Sequence, residues 1–206
     1  MPALPPAAPP PPPPGSAPTP RVALLRAVNV GGLTLKMDRL RAVAEGLGWA
    51  QVRTHIASGN LLFSALGEDA ALTADLERGL LAETGVSIPA LVLSHAAFVA
   101  RVAACPFTPA EGKHVHGLVL WGTATIDAAR LEALRAPSEA LAQTPGMVWL
   151  HTPDGFGRSK LAERLDRVVQ GSLYTARNLN TLQARVEKGA AGLSLPSARA
   201  AGRGAC

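Results

Sequence analysis

The run Val22-Ala23-Leu24-Leu25-Arg26-Ala27-Val28-Asn29-Val30 is apolar except at Arg26 and Asn29. A run with neither two-fold nor helical alternation reads as a strand covered on both faces, so a layer of structure is needed on each side of it. Gly31-Gly32 ends it. Met37, Leu40, Val43, Ala44 and Leu47 then recur at helical spacing, with Thr34 placed to cap the helix and Gly48 to stop it. Val52 to Ala57 alternates, Leu61 to Ser64 follows, and Ser58-Gly59-Asn60 between them gives a hairpin. Leu72, Leu76 and Leu80 mark a second helix closed by Gly85. Gly79 inside it costs about 1 kcal/mol relative to alanine. Ile88 to Leu93 is a fourth strand. Pro89 has no amide to give a ladder, which puts that strand at an edge.

The order β-α-β-β-α-β is that of the ferredoxin-like split βαβ unit, with its strands side by side as 4-1-3-2. The first strand is then interior and the second is the other edge, where Arg53 and His55 would discourage pairing with a further strand. Ser94 to Ala104 reads as a connecting helix ended by Cys105-Pro106. Strand, helix, hairpin and helix patterns follow again: His114 to Trp121, Ile126 to Arg135, Ala140 to Gln143 with Met147 to His151 around Pro145-Gly146, and Ser159 to Val169. Leu173-Tyr174-Thr175 is a candidate last strand and Asn178 to Lys188 a final helix. The expected fold is therefore α+β, two ferredoxin-like halves, the second incomplete or carrying an extra C-terminal helix. Residues 21–93 form the first unit, 94–112 the connection, and 113–188 the second unit with its helix.

Residues 1–20 are nearly all Pro and Ala, including Pro9 to Pro14, and are expected to be a disordered, extended arm. Residues 189–206 are rich in Ala, Gly and Ser and are expected to be a disordered tail. No cationic start followed by an apolar stretch opens the chain, no apolar run approaches membrane-spanning length, and two cysteines make no disulfide framework. The expected setting is the cytoplasm, with no membrane partner.

Four blocks stand out: Leu24-Leu25-Arg26-Ala27-Val28-Asn29-Val30-Gly31-Gly32, Val52-Arg53-Thr54-His55-Ile56-Ala57-Ser58-Gly59-Asn60, Gly157-Arg158-Ser159-Lys160-Leu161 and Thr175-Ala176-Arg177-Asn178-Leu179-Asn180-Thr181. Occurring in this order, they resemble a widespread bacterial family of uncharacterised proteins, catalogued as domain of unknown function 1697. The resemblance runs from Arg21 to Glu187. It implies an α+β fold with ferredoxin-like units and no particular reaction. Ala27-Val28 stands where that family usually has Gly-Ile, His55 where it has Tyr, and Leu179 where it has Trp, an aromatic that could have stacked on a ligand.

The same blocks hold the candidate site residues: Arg26, Asn29, Gly31, Gly32, Arg53, Ser58, Asn60, Arg158, Lys160, Arg177, Asn178 and Asn180. Each has a plain alternative. Arg26 interrupts a buried strand and needs a carboxylate, carbonyls, solvent or an anion. Gly31-Gly32 before a helix can present amides to a phosphate or simply turn the chain, and neither a Walker loop nor a dinucleotide fingerprint is present. Ser58 and Asn60 suit a hairpin turn. Arg158 and Lys160 oppose the dipole of the helix that Ser159 caps, and Arg177, Asn178 and Asn180 exceed what one cap requires. Between Arg158 and Lys188 there are seven bases against three acids, within a chain whose net charge is +5. Such a basic segment can gather anions.

Classical catalytic patterns are missing from the sequence. His114 and His116 share a strand face without a third ligand, so no metal is expected. No GxSxG elbow occurs, and Cys105 has no adjacent base. Three readings remain open. One is a protein that binds an anion: a nucleotide, another phosphorylated metabolite or a nucleic-acid backbone. Aromatic residues make up only 4%, which disfavours base stacking. The second is an enzyme of unknown class using these groups as an oxyanion or phosphate site, with His55 as base. The third is a structural or homo-oligomerisation role. No cofactor is indicated.

Overall fold

The computed structural model describes residues 17–29, 34–54 and 59–192. Gly31, Gly32, His55, Ser58 and the greater part of both expected disordered ends lie outside the described residues. The fold is mixed α+β with antiparallel sheets. The first sheet contains β1 (Thr19–Leu25), β2 (Ala50–Thr54), β3 (Asn60–Ala65) and β4 (Ala90–Ser94), with α1 (Met37–Gly46) and α2 (Asp69–Thr84) between them. Its strands lie in the order β2-β3-β1-β4. β1 is interior, β2 and β4 are the edges, and β4 starts directly after Pro89.

A connecting helix, α3 (His95–Ala103), leads to the second half. There β5 (Val115–Leu120), β6 (Thr125–Ile126), α4 (Ala128–Leu134), β7 (Ala140–Thr144), β8 (Met147–His151), α5 (Lys160–Glu163), α6 (Leu165–Val168), β9 (Val169–Gln170), β10 (Tyr174–Asn178) and α7 (Leu179–Gly192) follow. The second sheet runs β10-β5-β8-β7, and β6 with β9 makes a separate two-stranded ribbon.

Several boundaries differ from the sequence expectation. β1 begins at Thr19, where Thr19 and Pro20 pair with Ala65 and Ser64, and it ends at Leu25. The apolar run continues to Val30, yet Ala27 at φ 56° and Asn29 at φ 58° turn the chain out of the strand. Asn29 fixes this turn: its Oδ1 accepts from the Leu35 amide at 2.9 Å and its Nδ2 donates to the Leu35 carbonyl at 3.2 Å. Thr34 does not cap α1, since Lys36 holds the N-cap position without a side-chain bond. The helix expected from Ser159 to Val169 breaks at Arg164 into α5 and α6. The final helix extends to Gly192, four residues into the stretch expected to be tail.

Strand alternation sorts the core into three layers. Ala23, Leu25, Leu61 and Phe63 face α1 and α2, where Leu40, Ala44, Leu72, Leu76 and Leu80 close over them and Trp49 stacks on Phe63 at 4.0 Å. Val22, Leu24, Leu62 and Leu93 face the other way. They meet Phe98 and Val102 of α3, Leu179 and Leu182 of α7, and Val119, Met147 and Trp149 of the second sheet. The far side of that sheet, Leu118, Leu120, Val148 and Leu150, packs on Leu161, Leu165 and Val168. A Cβ added at Gly117 of β5 would lie 2.7 Å from both Leu182 and Met147, so α7 rests directly on a bare patch of β5. The two sheets thus share a middle layer built on α3 and α7, and that layer positions the site.

Candidate functional site

The site grows from the carbonyl of Leu25, the last residue of β1. Strand β10 is an edge strand of the second sheet, and it turns Thr175 and Arg177 toward this carbonyl. Thr175 Oγ1 donates to Leu25 O at 3.3 Å and Arg177 Nη2 donates to it at 3.2 Å. Arg177 Nη1 also donates to Thr175 Oγ1 at 2.8 Å and to Ala176 O at 2.7 Å. Two polar blocks separated by 152 positions are therefore stitched together across the seam between the sheets.

Arg26 follows directly after β1. Its amide donates to Pro89 O at 2.9 Å, and its half-buried guanidinium lies over the Tyr174 ring, 5.9 Å from the centroid. Burial and the charge of Asp166 raise the Tyr174 hydroxyl above the usual phenol range, while Arg26 pulls it the other way. Asn60, paired with Leu24, is 2% exposed and shares the inward face with Leu62. Near the same seam, Trp121 Nε1 donates to Ala90 O at 2.7 Å, a further bond between the halves.

The most consequential member was not a candidate from sequence. Arg185 of α7 is 1% exposed, and among the described residues none of its three guanidinium nitrogens has a hydrogen-bond partner. It is in no ion pair among the described residues, which include every Asp and Glu of the chain. Burial, and secondarily the charge of Arg177, push it down to about 9, and burial pushes Arg177 down to about 10. Arg101 provides the contrast. It too is lowered by burial, but its Nη1 reaches the Leu120 and Gly146 carbonyls at 3.4 Å. A signal for Arg185 did exist: Leu179, Leu182, Arg185, Val186 and Gly189 fall on one helical stripe, and a cation in that stripe must enter the core.

The other candidates lie elsewhere. Asn29 serves the Leu35 turn. Arg53 is exposed on β2. Asn178 caps α7, its Oδ1 accepting from the Thr181 amide at 2.9 Å, and Asn180 packs against Gly112. Arg158 and Lys160 flank Ser159, whose hydroxyl caps α5 at 2.9 Å on the far side of the second sheet. There Lys160 joins Arg130, Glu163, Arg164 and Arg167 around an open depression of about 420 Å³ with charges of both signs. The four blocks therefore do not meet in one place. Arg177 reaches Leu25 beside Arg26, its charge acts on Arg185, and the Arg158 block is separate.

His114 and His116 are split between a 3₁₀ turn and β5. The His116 ring lies against Phe156 at 3.9 Å, and burial lowers it to about 4. Among the described residues no group of three or more His, Cys, Asp or Glu is arranged to hold a metal. Cys105 is half-buried, and burial pushes its thiol up.

A family model described as "Protein of unknown function (DUF1697)" matches residues 19–149. The chain belongs to the DUF1697 family. The match takes in Arg26, Arg53 and Asn60 and stops before Arg177 and Arg185. Among solved structures, the DUF1697 chain is similar to the conserved bacterial protein SP0830 from Streptococcus pneumoniae. The two are 23% identical at a TM-score of 0.64, with 84% of this chain and 99% of that one covered. That likeness concerns the fold. No curated protein matches the chain. No helix among the described residues is long and apolar enough to cross a membrane.

Proposed function

We propose that the chain consists of two ferredoxin-like units whose seam binds a small anionic ligand, with Arg177 and Arg185 as the principal cations, Arg26 at the more exposed end and Asn60 on the facing sheet. The strand orders β2-β3-β1-β4 and β10-β5-β8-β7 support the first part, since each sheet has its first strand inside and its second and fourth at the edges. Arg185 carries the second part. A guanidinium taken out of water costs several kcal/mol unless it is paired, and among the described residues no nitrogen of the Arg185 guanidinium has a partner while the charge of Arg177 acts on it. An anion would supply the missing charge and the missing acceptors together.

The test is thermal denaturation of the full chain in a chloride-poor buffer against inorganic phosphate, citrate and ATP. At least one of them should raise the melting temperature. Arg185→Met should remove the effect, whereas the pair Arg158→Ala and Lys160→Ala should keep it. A panel without any shift, or a shift that depends on Arg158 and Lys160 alone, overturns the reading.

A further inference from the structure

Independently of the seam, we infer that a polar stripe on α2 is a strap that closes the β4 edge against strand addition, and that a second copy of this chain is the partner the edge takes once the strap is released. β4 pairs with β1 on one side only, so the amides of alternate residues point outward. Three of these are answered by α2. The Ser94 amide donates to Asp69 Oδ2 at 3.1 Å, the Val92 amide to Thr73 Oγ1 at 3.0 Å and the Ala90 amide to Glu77 Oε1 at 2.8 Å. Matching repeats make this possible. Four residues of helix rise about 6 Å and two residues of strand about 6.8 Å, so positions 69, 73 and 77 keep step with 94, 92 and 90.

The stripe is held in place from several sides. A hydroxyl can donate or accept, but Thr73 Oγ1 donates to Asp69 O at 2.8 Å and so meets Val92 as an acceptor. Asp69 pairs with the guanidinium of Arg21 on β1, which also donates to Gly67 O at 2.8 Å. Leu72, Leu76 and Leu80 of the adjoining stripe anchor the same helix on the sheet. On the carbonyl side of the edge, Ala90 O accepts from Trp121. β4 carries little protection of its own. The opposite edge, β2, has the charged Arg53 and a register shift between Ala50 and Arg53, both of which discourage a further strand. Ala90-Leu91-Val92-Leu93-Ser94 has no charge and no shift of register against β1. Antiparallel pairing about Val92 would set Val92 against its own copy and Ala90 against Ser94, with no like charges opposed. An uncharged edge with three free amides is a template for itself.

Two measurements on the full chain test this. In hydrogen exchange followed by NMR, the Ala90, Val92 and Ser94 amides should exchange as slowly as those of Leu91 and Leu93, which belong to the β1 ladder. Thr73→Val should speed Val92 by about tenfold or more, and Glu77→Met should do the same for Ala90, with the β1 ladder unchanged. Glu77→Gln keeps a carbonyl acceptor and should match the wild type. In light scattering after size exclusion, Thr73→Val combined with Glu77→Met should double the wild-type mass as concentration rises. Adding Val92→Pro, which removes the central outward amide, should restore it. If the double variant does not fold, Glu77→Met alone is read in both assays for the same outcomes. Fast exchange at Val92 in the wild type, or loss of Ala90 protection in Glu77→Gln, overturns the strap. A mass that stays at the wild-type value, or a rise that survives Val92→Pro, overturns the second copy as partner and leaves the strap standing.

Discussion

Ala27 sits at φ 56° at the end of β1, in the left-handed region where a Cβ costs about 1–2 kcal/mol. The resembling family usually has glycine there, and the structure supplies the reason. Ala27→Gly should stabilise the chain by about 1 kcal/mol, a rise of about 2–4 °C in melting temperature. His116 has the opposite kind of burden. The unfolded chain takes up this proton near pH 6.5, and the folded chain resists it until about pH 4. The stability tied to His116 is therefore complete above pH 6.5 and drains away as pH falls toward 4. His116→Phe, which keeps the contact with Phe156, should flatten the pH dependence of the melting temperature in that window. An unchanged slope would assign the acid sensitivity to other groups. Of the candidate residues, Arg26 was legible because a charge in an apolar strand has to be answered by something. Asn29 and Asn178 were legible only as polar, since turn-bracketing and capping use the same side chains as ligand binding.

At the scale of elements, Gly79 looked like a weakness in α2, because alanine there gains about 1 kcal/mol of helix propensity. A Cβ at this position would lie 2.8 Å from Val43 Cγ1 of α1. The glycine is what lets the two helices approach. Gly79→Ala should fail to stabilise and should lower the melting temperature, and adding Val43→Ala should recover the loss, so the two substitutions are non-additive in chemical denaturation. Trp121 ties the halves through its bond to Ala90 O. Trp121→Phe leaves that acceptor unanswered and should cost about 1 kcal/mol in the same assay. The longer elements were readable from periodicity, because burial on one face imposes it, while the two-residue ribbon strands β6 and β9 were not expected. Ends were less so. β1 stops where backbone angles change although the apolar run goes on, and α5 and α6 separate at Arg164, whose φ of −115° is not helical.

Over the whole molecule, the middle layer draws its residues from both halves. Val22, Leu24 and Leu62 come from the first sheet, Val119, Met147 and Trp149 from the second, and α3 and α7 fill the space between. Leu24→Ala should cost about 2–5 kcal/mol. Because Trp49 lies in the first layer and Trp149 in the middle one, single-tryptophan variants should report the same unfolding midpoint. Separate midpoints would mean that the halves unfold independently.

The order of the longer helices and strands, the interior place of β1 and the edge place of β4 were determined by the chain itself, since alternation, helical spacing and a missing proline amide are local properties. Which polar groups meet was decided only by tertiary structure. Arg177 reaches Leu25 across 152 positions, Arg158 ends on the far side of the second sheet, and Arg185 loses its water only when α7 settles on Gly117. Desolvation depends on everything packed around a group: the apolar stripe of α7 turns Arg185 inward, but which groups surround it there is set by the other elements.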